Sequence, residues 1–123
     1  MKHIITSLLL CATFGLTSIV PTPSYAQSQE EMNQQAAKDF DAADAAMNEA
    51  YKPFMNKIDK EAQAKLKSAQ RAWVAFRDAQ AELEADLAAR GGDMLPMIYN
   101  GRRTEITKAR TNELEKLLKD YGR

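Results

Sequence analysis

Histidine and cysteine are almost missing from this 123-residue sequence, which contains one of each, His3 and Cys11. Histidine is the usual general base, the usual zinc ligand and the side chain that titrates near neutral pH. A lone cysteine cannot form a disulfide within the chain, so helix packing must stabilise the fold without a covalent crosslink. We therefore predict no catalytic residue, no metal site and no cofactor, and we expect a binding protein rather than an enzyme.

Residues typical of β-strands are also scarce. Valine and isoleucine are few, and no useful segment alternates polar and apolar residues with a period of two. Alanine, lysine, glutamate, glutamine, leucine and methionine dominate instead, and these residues favour helix. The composition predicts an all-α fold, specifically an antiparallel up-down-up bundle of three main helices with short connections and no disulfides.

The first 26 residues have the layout of a secretory signal peptide. Lys2 and His3 precede an uncharged, leucine-rich stretch over residues 4–20, and Ser24-Tyr25-Ala26 places small residues where a signal peptidase reads. We predict cleavage after Ala26, which leaves residues 27–123 as one small periplasmic or secreted domain without a membrane segment. An uncleaved anchor is the alternative, but the stretch is at the short limit for spanning a bilayer.

Charge is balanced over the whole chain and uneven along it. The 17 basic residues equal the 17 acidic residues in number, which argues against a nucleic-acid partner. Residues 27–50, however, carry six acidic side chains and one lysine. Most surface charge is simply solvated and contributes little to stability, but this segment can also present an acidic face to a basic partner.

The first helix is predicted to begin at Ser28. Ser28 and Glu31 form an S-x-x-E capping box, which satisfies two free backbone donors. Pro53 lies within the same apolar periodicity, and a proline there removes a backbone hydrogen bond. We expect the helix to kink or break near Pro53.

The second helix is predicted to run from residue 60 to residue 90 and to end at Gly91-Gly92, because glycine adopts the left-handed conformation that ends many helices. Apolar residues recur along it at steps of three, four and seven. We expect these residues to form one buried face: Leu66, Ala69, Trp73, Phe76, Leu83 and Leu87.

The third helix is predicted to begin with Asp93 as its cap and Pro96 in its first turn. Asn100-Gly101 weakens this helix and can bend it. Gly122 is expected to end it.

Trp73 is the only tryptophan, and polar residues flank it on the predicted helix. Arg77 follows four residues later, so its guanidinium can stack on the indole. Arg110 falls on the apolar face of the third helix, where a charge needs a partner. Asp78 points about 100° away from Arg77 around the helix, so we expect it to pair elsewhere. The predicted binding residues are Gln70, Trp73, Arg77, Asp78, Tyr99 and Arg110; a purely structural tryptophan with packed arginines is the alternative.

The segment Gln70-Arg71-Ala72-Trp73 with Phe76-Arg77-Asp78 resembles the lysozyme inhibitor LprI-like N-terminal domain family, whose members are small secreted helical domains of bacterial envelopes. Weaker matches keep the same order along the chain: Met32-Asn33-Gln34, Met47 to Tyr51, Gly91-Gly92, Pro96 to Tyr99 and Thr107 to Leu114. Many relatives have cysteines where this chain has Gln35, Ala81 and Arg102, so a whole disulfide framework is absent here.

The resemblance implies a protein partner, namely lysozyme or another muramidase, and inhibition by direct contact. Two surfaces can serve this role. Acidic residues of the first helix can steer a basic lysozyme, and the segment from Tyr99 to Arg103 beside the expected bend can enter a cleft. The acidic residues are Asp39, Asp41, Asp44 and Glu49. The alternative is a structural or assembly protein of the periplasm that pairs its helices with another protein or with a second copy of itself.

Overall fold

The computed structural model describes residues 24–122. Residues 1–23 of the predicted 26-residue leader therefore lie outside the described residues. The described residues form three long helices, which are α1 (Tyr25–Lys57), α2 (Lys60–Ala89) and α3 (Leu95–Tyr121). No strand and no cysteine occur between residues 24 and 122. The prediction of an all-α bundle of three main helices without disulfides is confirmed.

Cross-helix contacts give the directions of the three helices. The Asn33 side-chain amide, near the start of α1, donates to the Asp93 carbonyl before α3, so these helices start at the same end. Arg103 and Arg110 of α3 contact Asp78 and Gln70 of α2 in reversed order, as in antiparallel neighbours. The backbone of α3 packs closely against both other helices, whereas α1 and α2 meet mainly through long side chains.

The start of α1 differs from the prediction. Ser24 caps the helix, and its hydroxyl accepts a hydrogen bond from the Gln27 amide at 3.4 Å. The helix therefore begins at Tyr25, and the predicted start at Ser28 is wrong for this chain. Ser24 precedes the predicted cleavage site, so a chain cleaved after Ala26 would lack this cap.

Pro53 lies inside α1, which continues without interruption to Lys57. Of the two outcomes predicted for this position, a kink or a break, the break does not occur. Asp59 then caps α2 and its carboxylate accepts from the Ala62 amide at 2.8 Å, so only two residues separate the helices. Because this connection is so short, α2 runs back in the direction opposite to α1.

The end of α2 agrees with the prediction to within one residue, and Gly91 has the expected left-handed backbone with φ of 69°. At the start of α3, however, Met94 is the capping position and no side chain caps it, so the predicted Asp93 cap is wrong. Pro96 lies in the first turn as expected. The helix is continuous through Asn100 and Gly101, and the expected weak point does not interrupt it.

The apolar core lies where the three helices face one another near the α1–α2 connection. Its buried residues are Met47 and Phe54 from α1, Leu66 from α2 and Leu114 from α3. Half-buried side chains pack around them: Ala50, Tyr51, Met55, Ile58, Trp73, Leu117 and Leu118. Each helix therefore contributes to one continuous core, as a three-helix bundle requires.

The predicted buried face of α2 is wrong at Ala69, which is exposed, and throughout its second half. Phe76, Leu83 and Leu87 are 57%, 52% and 71% exposed, respectively. Beyond Leu66, the buried residues of α2 are Arg77, Ala81 and Ala85. Arg77 lies about 100° around the helix from Phe76. A buried arginine and two alanines thus occupy the inner face, and three large apolar side chains face outward.

The buried hydroxyl of Thr107 is expected to lower the stability of the core, and this expectation can be tested. Thr107 is fully buried, and its Oγ1 has no hydrogen-bond partner among residues 24–122. We expect Thr107→Val to stabilise the protein by about 1 kcal/mol, because an isosteric methyl group removes an unsatisfied polar atom. Thermal unfolding should show a melting temperature higher by roughly 4–8 °C.

Thr104→Val is the matched control. Thr104 is also buried in α3, but its hydroxyl donates to the Asn100 carbonyl at 2.8 Å. We expect no gain from this substitution, and a lower melting temperature for Thr107→Val would contradict the interpretation.

Candidate functional site

Three arginines and three aromatic rings meet where the middle parts of the helices face one another. Their charges are balanced by carboxylates from α1 and α2 and by polar side chains at the margin. We call this set the arginine cluster; it comprises Phe40, Asp44, Gln70, Trp73, Arg77, Asp78, Tyr99, Arg103 and Arg110.

Arg77 is the centre of the arginine cluster. Its side chain is only 5% exposed, and its guanidinium carbon lies 4.9 Å from the centroid of the Phe40 ring and 5.2 Å from that of Trp73. Its Nη1 donates to Asp44 Oδ1 at 3.0 Å, and its Nε donates to Asp78 Oδ1 at 2.8 Å. The buried charge is therefore paired both within α2 and across to α1.

The contact between Arg77 and Asp78 contradicts the prediction that these neighbours cannot pair. The angular separation of 100° describes the directions in which the two side chains leave the helix. A long arginine side chain can fold along the helix surface and reach a carboxylate that starts in another direction. Burial between Phe40 and Trp73 holds Arg77 in that conformation.

Arg103 joins α3 to the same carboxylate. Its Nε donates to Asp78 Oδ1 at 3.1 Å, and its guanidinium lies 3.6 Å from the Phe40 centroid and 5.0 Å from the Tyr99 centroid. Arg103 is not among the binding residues predicted from the sequence. The available signal was its position four residues after Tyr99, the same spacing that places Arg77 near Trp73.

Arg110 forms the second connection between α3 and α2. Its Nε donates to Gln70 Oε1 at 3.1 Å, its Nη1 donates to Glu113 at 2.9 Å, and its guanidinium lies 5.8 Å from the Trp73 centroid. Arg77 and Arg110 therefore contact the same indole. The structure brings all six predicted binding residues into one network, although their role in binding a partner stays a prediction.

The pKa of Asp78 reflects this arrangement. Burial alone would raise the pKa of the carboxyl, but the hydrogen bonds and positive charges of Arg77 and Arg103 outweigh burial and hold the pKa below its ordinary value of 3.8. Asp78 is therefore ionised at neutral pH and bridges α2 and α3. The cluster satisfies its own charges, which is the arrangement expected of a site that fixes helix positions.

The segment from Tyr99 to Arg103 does not form the projecting, bent segment that was expected to enter a cleft of the partner. No interruption of α3 occurs there, and Arg102 is paired with Glu84 of α2 and with Glu105. Arg103 lies within the arginine cluster. The hypothesis that this segment enters a cleft therefore has no structural basis, because both arginines are already bound within the chain.

Two surface features remain on the α1 side. A groove of about 340 Å³ between α1 and α2 is lined by Tyr51, Lys67, Gln70, Arg71 and Val74. Along α1, most of the expected carboxylates are exposed, while Asp44 is partly covered by its pair with Arg77. The exposed acidic residues of α1 are Glu30, Glu31, Asp39, Asp41 and Glu49.

Other kinds of site are not supported within residues 24–122. No group of three histidine, cysteine, aspartate or glutamate side chains in this range is placed to hold a metal ion. None of the three described helices combines the length and the apolar character needed to cross a bilayer.

Comparison with known proteins gives two matches. The family model described as "Lysozyme inhibitor LprI" matches residues 21–114, which include every member of the arginine cluster. An uncharacterised protein of Rhizobium meliloti (strain 1021) is 42% identical over 127 aligned residues, covering 91% of each chain. No solved structure matches the chain.

The neutralisation of the buried Arg77 charge can be tested by removing either its two carboxylate partners or the charge itself. Asp44→Ala with Asp78→Ala leaves a buried guanidinium without its carboxylates, and we expect a loss of about 3 kcal/mol or more in unfolding free energy. Arg77→Met removes the charge but keeps an unbranched apolar side chain, so we expect a smaller loss. Denaturant unfolding of both variants measures the difference.

The triple variant with Asp44→Ala, Asp78→Ala and Arg77→Met provides the control. Because it contains no unpaired buried charge at this position, we expect it to be more stable than the double-alanine variant. Equal or lower stability of the triple variant would contradict the proposed charge balance.

Acid should weaken the contribution of Asp78. A carboxyl whose pKa is lowered by folding adds stability above its unfolded pKa, and that stability disappears as the pH falls through the lower, folded-state pKa. We expect Asp78→Asn to lower the melting temperature at pH 7, and the gap from the unchanged protein to narrow as the pH falls below the ordinary carboxyl pKa of 3.8. Melting curves across this range test the expectation, which an equal gap at every pH would refute.

Proposed function

This chain belongs to the lysozyme inhibitor LprI family, and we propose that it is an exported binding protein that inhibits a lysozyme-type cell-wall hydrolase without catalysing a reaction. Under this proposal, the leader is removed after Ala26 and residues 27–123 act in the periplasm or outside the cell. The match of the family model to residues 21–114 is the observation that carries the proposal.

The acidic face of α1 supports contact with a basic lysozyme. Residues 27–50 carry six acidic side chains against one lysine, a net charge of minus five. Five of the six are exposed, so this part of α1 has a negatively charged surface, although the side chains leave the helix in several directions. Such a surface accelerates association with a positively charged partner and favours the correct orientation.

The arginine cluster supports the same proposal indirectly. Asp44 belongs to α1, and its ion pair with Arg77 fixes the middle of that helix against α2. Phe40, one turn earlier, is held between Arg77 and Arg103. A face that is rigid before binding loses less conformational entropy when it meets its partner. We therefore assign the cluster a positioning role and assign partner contact to the exposed carboxylates of α1.

A second candidate function is assembly through helix–helix contacts. The exposed apolar side chains of α2 favour it, because monomeric proteins rarely display large apolar surfaces without a partner. This candidate does not exclude inhibition, since α1 and the outer face of α2 are different surfaces.

An inhibition assay with a basic lysozyme tests the main proposal. We expect the purified, processed protein to reduce muramidase activity and the inhibition to weaken as salt increases, because exposed charges are screened. Asp41→Lys with Glu49→Lys should weaken inhibition by about tenfold or more, since two favourable charges become repulsive.

Glu82→Lys with Glu115→Lys is the matched control. Both residues are exposed, on α2 and α3, and the pair changes the net charge by the same amount. We expect this variant to inhibit nearly as well as the unchanged protein. Full muramidase activity at a large excess of the unchanged protein would refute the proposed function.

A further inference from the structure

The outer face of α2 carries a continuous apolar surface that the bundle does not cover. We call it the α2 stripe; it comprises Ala69, Ala72, Phe76, Ala79, Leu83 and Leu87, all of them exposed. Their spacing of three, four, three, four and four residues is close to the repeat by which two helices pack along a shared seam. Phe76, Leu83 and Leu87 fall within about 40° of one another around the helix.

Exposure of this surface is unfavourable for an isolated protein. Burying a leucine or phenylalanine side chain is worth about 1.5–3 kcal/mol relative to leaving it in water. The three large side chains of the α2 stripe are each more than half exposed. Contiguous apolar residues on one helix therefore indicate a surface that another molecule covers.

We propose that the α2 stripe of one molecule packs antiparallel against the α2 stripe of a second copy, which gives a symmetric dimer. The charges that border the stripe support this choice. One end of the stripe has Glu61 and Lys65, and the other end has Asp86 and Arg90. Within one chain these residues form exposed pairs along the helix, Lys65 with Glu61 and Arg90 with Asp86.

An antiparallel dimer brings opposite charges together at both ends. When Ala72 lies opposite Ala79 of the second copy, Lys65 lies opposite Asp86 and Glu61 lies opposite Arg90, because all three pairs are centred on the same point. That point falls between Ala75 and Phe76. A parallel dimer would instead place Lys65 beside Lys65 and Asp86 beside Asp86, and like charges at such distances repel.

The sizes of the side chains fit the same register. Leu83 lies level with Ser68 and beside Ala69 of the second copy, so a large side chain meets small ones. Alanines at Ala72 and Ala79 allow the two helix backbones to approach closely near the twofold axis. This alternation of large and small residues across a seam is the arrangement that fills an interface without voids.

The proposed dimer leaves the surface assigned to lysozyme open. Val74 lines the groove that faces α1, whereas Phe76 is two residues further along and therefore about 160° away around the helix. The dimer proposal thus does not depend on the proposed inhibition, and each can fail while the other holds.

Sedimentation equilibrium of the purified, processed protein tests the proposal. We expect a concentration-dependent dimer, and we expect Leu83→Glu to weaken dimerisation at least tenfold because it places a charge in the seam. Ala109→Glu, at an exposed position of α3 away from the stripe, should leave the dimer unchanged. Circular dichroism should show that both variants keep their helices.

Cysteine crosslinking tests the antiparallel register, because no cysteine lies beyond Cys11. Under oxidation, a mixture of Ala72→Cys and Ala79→Cys proteins should form a mixed disulfide dimer, and neither variant alone should crosslink efficiently. A crosslink in Ala72→Cys alone, without the mixed product, would show a parallel pair and overturn the proposal. A monomer at every accessible concentration would also overturn the proposal. In that case a different protein, and not a second copy, would cover the α2 stripe.

Discussion

The burial of one positive charge constrains the whole bundle. Arg77 lies on the inner face of α2, between the Phe40 and Trp73 rings, and an ion there is tolerated only when opposite charges neutralise it. Asp44 must therefore come from α1, and Asp78 must turn toward both Arg77 and Arg103. These requirements fix the rotation of each helix about its own axis more tightly than apolar packing alone, because hydrogen bonds are directional and apolar contacts are not.

The outward position of Phe76, Leu83 and Leu87 follows from the same constraint. A helix has one inner face, and α2 uses the second half of that face for Arg77, Ala81 and Ala85. The small alanines let α3 approach the α2 backbone, and they leave no room on that side for larger residues. The apolar residues about 100° away are therefore exposed and become available to another molecule. The burial of Arg77 and the exposure of the apolar residues of α2 thus both follow from the same rotation of α2 about its axis.

The two outer surfaces suit different kinds of contact. The carboxylates of α1 act at long range and depend on salt, which suits recognition of a basic enzyme. The apolar stripe of α2 acts only in direct contact and gains affinity from burial, which suits a stable helix pair. Between α2 and α3, the ion pair of Arg102 with Glu84 adds an electrostatic contact.

The sequence by itself determined the helical class, the number of helices, both ends of α2 and the end of α3, because helix propensity, glycine and short polar connections act locally. It also identified the residues around Trp73, since a tryptophan with an arginine four residues later is a local pattern. Only the tertiary structure decided that Asp44 and Arg103 complete the cluster and that Phe76 faces solvent. Periodicity gives the relative angles of residues on one helix, but it cannot say which angle faces the bundle. That choice depends on whether partners from the other helices can neutralise a buried charge, and those partners are distant in sequence.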